Sequence, residues 1–597
     1  MAFKKTVRIY LTWLLVFLLE KPAFMLYYHL PVSKVGEVMW HGLSLDLAMS
    51  GYLTSVPAVI LLVSVWWRPK ALSYLMKGFM MVASFLVAFT FMLNLVLYGY
   101  WNFPLDSTPI YYFLTSPKDA FASANLFQEL LGVIATFVLA YGIYWLVRWK
   151  ASFQVESRPI RQTFLMMVTL GMLFLSIRGG VTVSSTNTGK AYFSHVMELN
   201  HAAVNPTFSL FESFAHQVDF GRQYRFMTDD QADKYFKQMV CTESDEARIL
   251  LRTDRPDDIL LIIWEGFPKD LMTALGGKRN VAVEMDSLAH HAILFRQFYA
   301  NSFRTDRGLV SVLSGYPAQP TTSLMKFPKK TESLPSIAQS LKRYGYHTSY
   351  YYGGDADFAN MRSFLVSQGF LNIVSDVDFP ISEKLSKWGV PDHLVAQRLM
   401  YDVKREGKGR HFRVFQTSSS HEPWDVPYHR LKDKRLNSFA YTDHTIGQLI
   451  RDYQKLPQWK NTLVIILADH VGSYLEHLDN EIPQRYQIPL IWAGGAITQP
   501  MRVDTLGGQI DLAATLLGQM NIPHHDFTFS KDMMSKKTPK FGYFTFPDLW
   551  GMATKDATII YDNKSKKVIY KKGSHPERYI DQGKAFLQKL YDDIQKR

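Results

Sequence analysis

The sequence predicts two parts in series: an α-helical membrane domain of five spanning helices, then a large α/β domain outside the cytoplasm. Three observations predict it. Residues 1–180 are mostly long apolar runs, whereas the later residues mix polar and apolar positions. Five of those runs reach the roughly 20 residues that a bilayer crossing needs. From about residue 257 short buried-strand patterns alternate with amphipathic helical ones, which is the signature of a largely parallel sheet covered on both faces. The expected division is a membrane domain over 1–180, a helical connector over 181–250 and a catalytic domain over 251–597.

The spans run approximately over 8–30, 43–67, 71–100, 127–148 and 161–178. The first lacks a small-residue cleavage site after a short apolar core, so it reads as a retained helix and not as a removed signal peptide. Orientation follows from the flanking charges. Lys4, Lys5 and Arg8 precede the first span, Arg68 and Lys70 separate the second and third, and Arg148, Lys150, Arg158 and Arg161 separate the fourth and fifth. The alternate loops carry only Lys34 and Lys118. The positive-inside rule therefore puts the N-terminus in the cytoplasm, and an odd number of spans delivers everything after about residue 180 to the other side. The expected location is the cytoplasmic (inner) membrane, multi-pass, with the catalytic domain facing the periplasm or cell exterior. Asp46 sits near the outer end of a span, where an interfacial hydrogen bond and a role with lipid are both open.

The net charge is +13. Residues 1–179 hold 14 Lys+Arg against 7 Asp+Glu, so about half the excess belongs to membrane orientation. No basic run with interleaved aromatics is present, which argues against nucleic acid as a partner. The single cysteine, Cys241, allows neither an internal disulfide nor a cysteine-based zinc site; it reads as a buried or half-buried thiol. The connector "VTVSSTNTGK" is loop-like, and the helical spacing that follows is broken at Asn205-Pro206. Short helices against the catalytic domain or the membrane surface are expected there.

In the catalytic part "DDILLIIWEG", "YHTSYYYGGD", "FRVFQTSSSH", "TLVIILADHVG" and "QIPLIWAGG" each read as a buried strand ending in a polar or Gly-rich loop. Ligands of such sheets bind beyond the carboxyl ends of the strands. Glu265 stands at one of those ends, as a metal ligand, a helix N-terminal charge or half of a buried ion pair. Asp469 and His470 stand side by side at another. Mixed carboxylate and imidazole ligation suits Zn²⁺ or Mn²⁺; the plainer alternative is a capping Asp beside a solvent-facing His. Thr305, in "NSFRTDRGLVSVLSGYP", falls in the first turn of a helix. It is either an N-cap or a nucleophilic hydroxyl, placed where backbone N–H groups and the helix dipole favour phosphate and a metal could activate it. Arg304 and Arg307 are candidate phosphate clamps. His421, just past a strand, is an ordinary loop histidine or a general acid for a leaving alkoxide. His290, His291, His524 and His525 read as ordinary.

Taken together, Glu265, Thr305, His421 and Asp469-His470 in this order resemble the lipoteichoic acid synthase and phosphoglycerol transferase family, sulfatase-like members of the alkaline phosphatase superfamily. The resemblance extends over five spans, a connector, the "TDRG" block after "NSFR", the Asp511–Leu517 helix and the terminal "FTFPDLWG" strands. It implies a sulfatase-like (alkaline-phosphatase-type) fold with a small C-terminal antiparallel sheet. It also implies a mechanism. Thr305 attacks the phosphorus of a membrane phospholipid donor, diacylglycerol leaves, and the phosphoglycerol held on Thr305 passes to a glycan or lipid-linked acceptor. Glu265, Thr305, Asp469 and His470 would hold one divalent ion, manganese in that family, with Zn²⁺ or Mg²⁺ as alternatives. His421 matches the family's substrate-binding histidine.

The headgroup pocket departs from the family. In "YGGDADFANMRSF" Phe358 is kept, but Ala359 and Met361 stand where a Trp and an Arg are expected. Asp355, Asn360 and Arg362 are candidates for different contacts. The headgroup is therefore open between phosphoglycerol and phosphoethanolamine, and a non-catalytic membrane-anchored binding protein on the same fold is a further alternative. Sulfate ester hydrolysis is disfavoured, because Thr305-Asp306-Arg307 offers no Cys or Ser for formylglycine. The topology is directly testable. A reporter enzyme fused after Arg597 is expected to be active only when exported, and a C-terminus protected from external protease in intact spheroplasts would reverse the assignment.

Overall fold

The structure is a computed structural model that describes residues 2–67, 69–107, 109–110, 126–148, 158–215, 218–240, 247–472 and 480–597. Arg68, Lys118, Lys150 and Cys241 lie outside the described residues. The chain forms two compact units, one of residues 1–218 with 357–366, the other of 219–356 with 367–597.

Among the described residues of the first unit five helices are long and apolar enough to cross a membrane: Ala2–Tyr27, Val35–Trp66, Lys70–Trp101, Leu126–Val147 and Pro159–Arg178. This is an integral membrane protein. The helix Met197–Ala203 and the helix Pro206–Ala215 belong to the same unit, and residues 199–210 are all buried. Polar side chains tie them to the long helices. Thr207 and Thr90 share a hydrogen bond of 2.7 Å, and Tyr98 meets His201 Nδ1 at 2.9 Å. Asp46 is fully buried, and its partner is Lys21, whose Nζ lies 2.7 Å from both carboxylate oxygens. Asn205 Nδ2 donates to the same carboxylate at 3.0 Å. Gly42 makes room for this, since a Cβ there would lie 2.2 Å from Lys21 Cε and from Ala203 O. The segment 357–366 is fastened in this unit as well: Asn187 Nδ2 donates to Asp357 O at 2.9 Å, and Gly189 N–H to Asn360 Oδ1 at 3.2 Å.

The second unit is an α/β sandwich around a nine-stranded mixed sheet. Its strands are β1 Asp258–Trp264, β2 Ile293–Tyr299, β3 His347–Tyr352, β4 Asn372–Val374, β5 His411–Gln416, β6 Thr462–Ala468, β7 Gln487–Ala493, β8 Met501–Val503 and β9 Gly507–Gly508. The spatial order is β4-β3-β5-β1-β6-β7-β2-β8, with β9 also on β2. All five expected strands are present, as β1, β3, β5, β6 and β7. β7 runs antiparallel to both β6 and β2, because it starts at the edge where β6 ends and needs no crossover to the far edge. β2, β4, β8 and β9 are additional; the latter three are too short to show periodicity.

β1 and β6 are buried at every position, which is why they read as unbroken apolar runs. Their register is level: Ile263 pairs with Gln416 of β5, and Trp264 with Ala468 of β6. The residues that follow these strands therefore emerge together at one edge. Behind β2 lies the small antiparallel sheet, β10 Phe541–Phe546, β11 Leu549–Thr554, β12 Ala557–Asp562 and β13 Lys567–Gly573. Tyr299, Tyr486, Phe544, Leu549 and Ile560 pack into one apolar cluster there.

The buried Lys21–Asp46 pair gives a stability test. Asp46→Ala strands an uncompensated ammonium and is expected to cost about 3–5 kcal/mol. Adding Lys21→Met should restore most of it, as read by thermal unfolding in detergent.

Candidate active site

Each side chain of the site is placed by a strand end. Glu265 follows β1, and the loop after β5 holds it on both sides: its N–H donates to Thr417 Oγ1 at 3.0 Å, and Ser420 Oγ donates to its carbonyl at 2.7 Å. Asp469 and His470 follow β6. Asp469 Oδ1 accepts the N–H groups of Gly266 and His470, each at 2.8 Å. Its other oxygen, Oδ2, is buried without a hydrogen-bond partner, with His470 Nε2 at 3.5 Å. His470 Nε2 lies 3.3 Å from Glu265 Oε1.

Thr305 is the first residue of the helix Thr305–Ser314, and Arg304 occupies the N-cap position. The hydroxyl is thus not a cap. Its Oγ1 donates to Glu265 Oε2 at 3.2 Å and lies 3.4 Å from His470 Nε2. The loop into it, after β2, is clamped by the small sheet: Asn301 Nδ2 donates to Tyr543 O at 2.6 Å, and Ser302 Oγ to Thr545 O at 3.0 Å. The helix meets the β6 end at Gly308, where a Cβ would stand 2.2 Å from Asp469 O. Buried Gln509 braces both: its Nε2 donates to Ala468 O at 2.8 Å and to Asp469 O at 2.5 Å, while its Oε1 accepts the Asn301 N–H at 2.8 Å.

Glu265, Asp469 and His470 each offer one ligand atom, and these atoms lie within 4.8 Å of one another. Hard oxygen and imidazole donors of this kind suit Mn²⁺, Zn²⁺ or Mg²⁺, and the orphaned Asp469 Oδ2 is the atom that an ion would satisfy. Burial, and then the neighbouring Glu265 charge, raise the pKa of Asp469. Burial opposes a charged His470, but Asp469 and Glu265 outweigh it and hold its pKa up at about 9. Burial likewise pushes Glu265 upward, and the hydrogen bond and charge of His470 outweigh that and lower it. Three groups share protons that a cation would replace.

Residues 257–522 match the Sulfatase family. This part of the chain is a sulfatase-like domain. Phosphoglycerol transferase I of Xanthomonas campestris pv. campestris is 25% identical to the chain over 221 residues, 34% of this chain and 31% of that protein. Lipoteichoic acid synthase 2 of Bacillus subtilis is 23% identical over 327 residues, 49% of each. The matched stretch thus spans about a third to a half of these curated relatives, and the homology is distant. Among solved structures, an alkaline phosphatase superfamily protein from Vibrio parahaemolyticus superposes with a TM-score of 0.55 at 23% identity, covering 63% of this chain and 99% of that one. The lipoteichoic acid synthase LtaP of Listeria monocytogenes gives 0.51 at 16% identity, covering 62% and 98%. At these identities the superpositions speak for the fold. It is the expected one, five apolar helices plus a sulfatase-like domain with a small C-terminal sheet.

The sulfatase-family domain brings Glu265, Thr305, Asp469 and His470 together. His421 is half-buried in the loop that holds Glu265, near enough for its charge to lower the pKa of that carboxylate. Arg304 is exposed at the helix start. Arg307 is buried, with Nε on Thr322 O at 3.0 Å and its guanidinium over Phe303. Asp355 is half-buried after β3. Phe358, Asn360 and Arg362 fall in the segment that belongs to the first unit. There Phe358 is exposed, Asn360 accepts from Gly189, and Arg362 pairs with Asp357 at 2.5 Å. The sequence reading missed Gln509, Asn301, Thr417 and Gly308. Gly308 in "TDRG" and Gln509 in "GGQIDL" carried the available signal, a glycine inside a helix start and a polar residue in an apolar context.

Metal binding should depend on pH with a definite sign. His470 must lose its proton to become a ligand, so affinity for Mn²⁺ should fall as pH drops below about 9, with protons released on binding. Calorimetric titration in buffers of different ionisation enthalpy reads both, and Asp469→Ala should abolish the binding.

Proposed function

We propose that this chain is a membrane-anchored phosphotransferase that moves phosphoglycerol, or a similar phospho-headgroup, from a glycerophospholipid to an extracytoplasmic acceptor through a covalent intermediate on Thr305. The observation that carries this reading is the position of Thr305 Oγ1, 3.2 Å from Glu265 Oε2 and 3.4 Å from His470 Nε2, at the start of a ten-residue helix. The distant homology to phosphoglycerol transferase I and lipoteichoic acid synthase 2 supports it.

One divalent ion held by Glu265, Asp469, His470 and Thr305 would neutralise phosphoryl charge and lower the pKa of the threonine hydroxyl. The remaining steps belong to the chain. Thr305 gives up the proton that it donates to Glu265, and its Oγ forms a bond to phosphorus as the lipid P–O bond breaks. The helix N-terminus supplies N–H groups and a favourable dipole for the phosphate, with exposed Arg304 beside it as a clamp. His421 protonates the leaving diacylglycerol oxygen. In the second half an acceptor hydroxyl attacks phosphorus, His421 takes its proton, and Thr305 Oγ leaves and takes back the proton held by Glu265. Two displacements let the donor depart before the acceptor arrives.

Phosphoethanolamine is the second reading for the headgroup, motivated by Ala359 and Met361 in place of a Trp and an Arg. Thr305→Ala should abolish turnover while the fold stays intact. Mass spectrometry of the wild type, quenched after exposure to phosphatidylglycerol or phosphatidylethanolamine without acceptor, should show an adduct on the peptide containing Thr305 and identify the headgroup. An adduct elsewhere, or full turnover by Thr305→Ala, would refute the mechanism.

A further inference from the structure

His421 does not stand alone in its loop. The indole of Trp388 lies against its imidazole, ring centroids 3.9 Å apart and planes tilted by 48°. The two rings also share an anchor. Trp388 Nε1–H donates to Glu422 O at 2.5 Å, and His421 Nδ1 lies 3.1 Å from the same oxygen. A carbonyl only accepts, so His421 must carry a proton on Nδ1 to make this bond. That leaves Nε2 as the nitrogen whose proton can come and go.

Trp388 is itself held by backbone. Ser386 and Gly389 exchange two hydrogen bonds of 3.1 Å around it, Ser386 Oγ accepts the Trp388 N–H at 3.2 Å, and Val390 N–H donates to Gly353 O at 2.8 Å. Gly353 directly follows β3, at the edge where Glu265 and Asp469 emerge. On the other side, Thr417 and Ser420 bind the loop of His421 to Glu265. The imidazole is therefore fixed between an indole tied to the β3 end and a loop tied to the metal-site carboxylate.

We propose that Trp388 is a positioning residue for His421. It covers one face of the ring, shares its carbonyl anchor, and keeps proton delivery on Nε2, aimed at the leaving oxygen. This rests on the reading of His421 as general acid. In the step concerned the lipid P–O bond breaks, the leaving oxygen keeps the electron pair and takes the Nε2 proton, and the Thr305 Oγ–P bond forms. An alkoxide needs that proton, whereas a nitrophenolate leaves without it.

The test is leaving-group dependence in the full-length, detergent-solubilised protein. Wild type, His421→Ala, Trp388→Ala and Trp388→Phe are compared on phosphatidylglycerol and on the p-nitrophenyl ester of glycerol phosphate, with Mn²⁺ binding as the check on folding. His421→Ala should lose about 10²–10⁴-fold in kcat on the lipid and far less on the nitrophenyl ester. Trp388→Ala should lose roughly tenfold to 10²-fold in kcat on the lipid, the cost of a misplaced catalytic group, with little change in KM and the same sparing of the nitrophenyl ester. Trp388→Phe keeps a ring over the imidazole and should recover part of the loss. Equal losses on both substrates, or a wild-type lipid rate for Trp388→Ala beside an impaired His421→Ala, would overturn the proposal. A wild-type lipid rate for His421→Ala would overturn the general-acid reading itself and the role of Trp388 with it.

Discussion

The candidate site depends on how closely the helix Thr305–Ser314 can approach the end of β6. At Gly308 the space for a side chain is already filled by the carbonyl of Asp469, 2.2 Å from where a Cβ would be. With any side chain there, the helix start would have to move outward, and Thr305 would move with it, away from Glu265 and His470. Gln509 holds the approach from the other side, hydrogen-bonded to Asn301 ahead of Thr305 and to the Asp469 carbonyl. Interiors are close-packed, so a missing side chain at one position becomes a defined distance between a hydroxyl and a ligand cluster elsewhere.

The same logic runs through the rest of the edge. Parallel β1, β5 and β6 are level, so their following loops start side by side, and short polar residues lace them together. Thr417 and Ser420 connect Glu265 to the loop of His421, and Gly266 N–H connects the β1 loop to Asp469. The Glu265 main chain is thereby held by two hydroxyls and the Asp469 carboxylate by a backbone N–H, from residues that are not themselves candidate ligands. Asp469 Oδ2 is buried here without a hydrogen-bond partner, a costly situation in an apolar surrounding and a natural one for a metal centre.

The membrane unit uses a different device. Lys21 and Asp46 are both buried and paired, with Asn205 completing the carboxylate's contacts. An isolated charge would be costly there; a pair with an amide partner joins the Ala2–Tyr27 and Val35–Trp66 helices to Asn205, the residue ahead of the Pro206–Ala215 helix. The break at Asn205-Pro206 is where the chain turns to present that amide.

Much of this was legible in the sequence by itself. The five spans were, because hydrophobic length is a local property. So were β1, β3, β5, β6 and β7, whose burial leaves unbroken apolar runs, and the abrupt change from apolar to polar at the ends of β1 and β6 pointed to Glu265, Asp469 and His470, whose ligand atoms the fold brings within 4.8 Å of one another. Tertiary structure alone decided the partners. Nothing near Asp46 in the chain points to Lys21, 25 residues earlier, or to Asn205, 159 later. Trp388 packs against His421 across two loops, and Gln509 reaches the Asp469 carbonyl from 40 residues away. A hydrogen bond or a ring contact depends on distance in space, and periodicity along the chain carries no information about which two loops a sheet will bring to the same edge. The antiparallel course of β7 belongs to the same class. Its composition matches its parallel neighbours, since burial sets the composition, while direction is set by the edge at which the preceding loop delivers it.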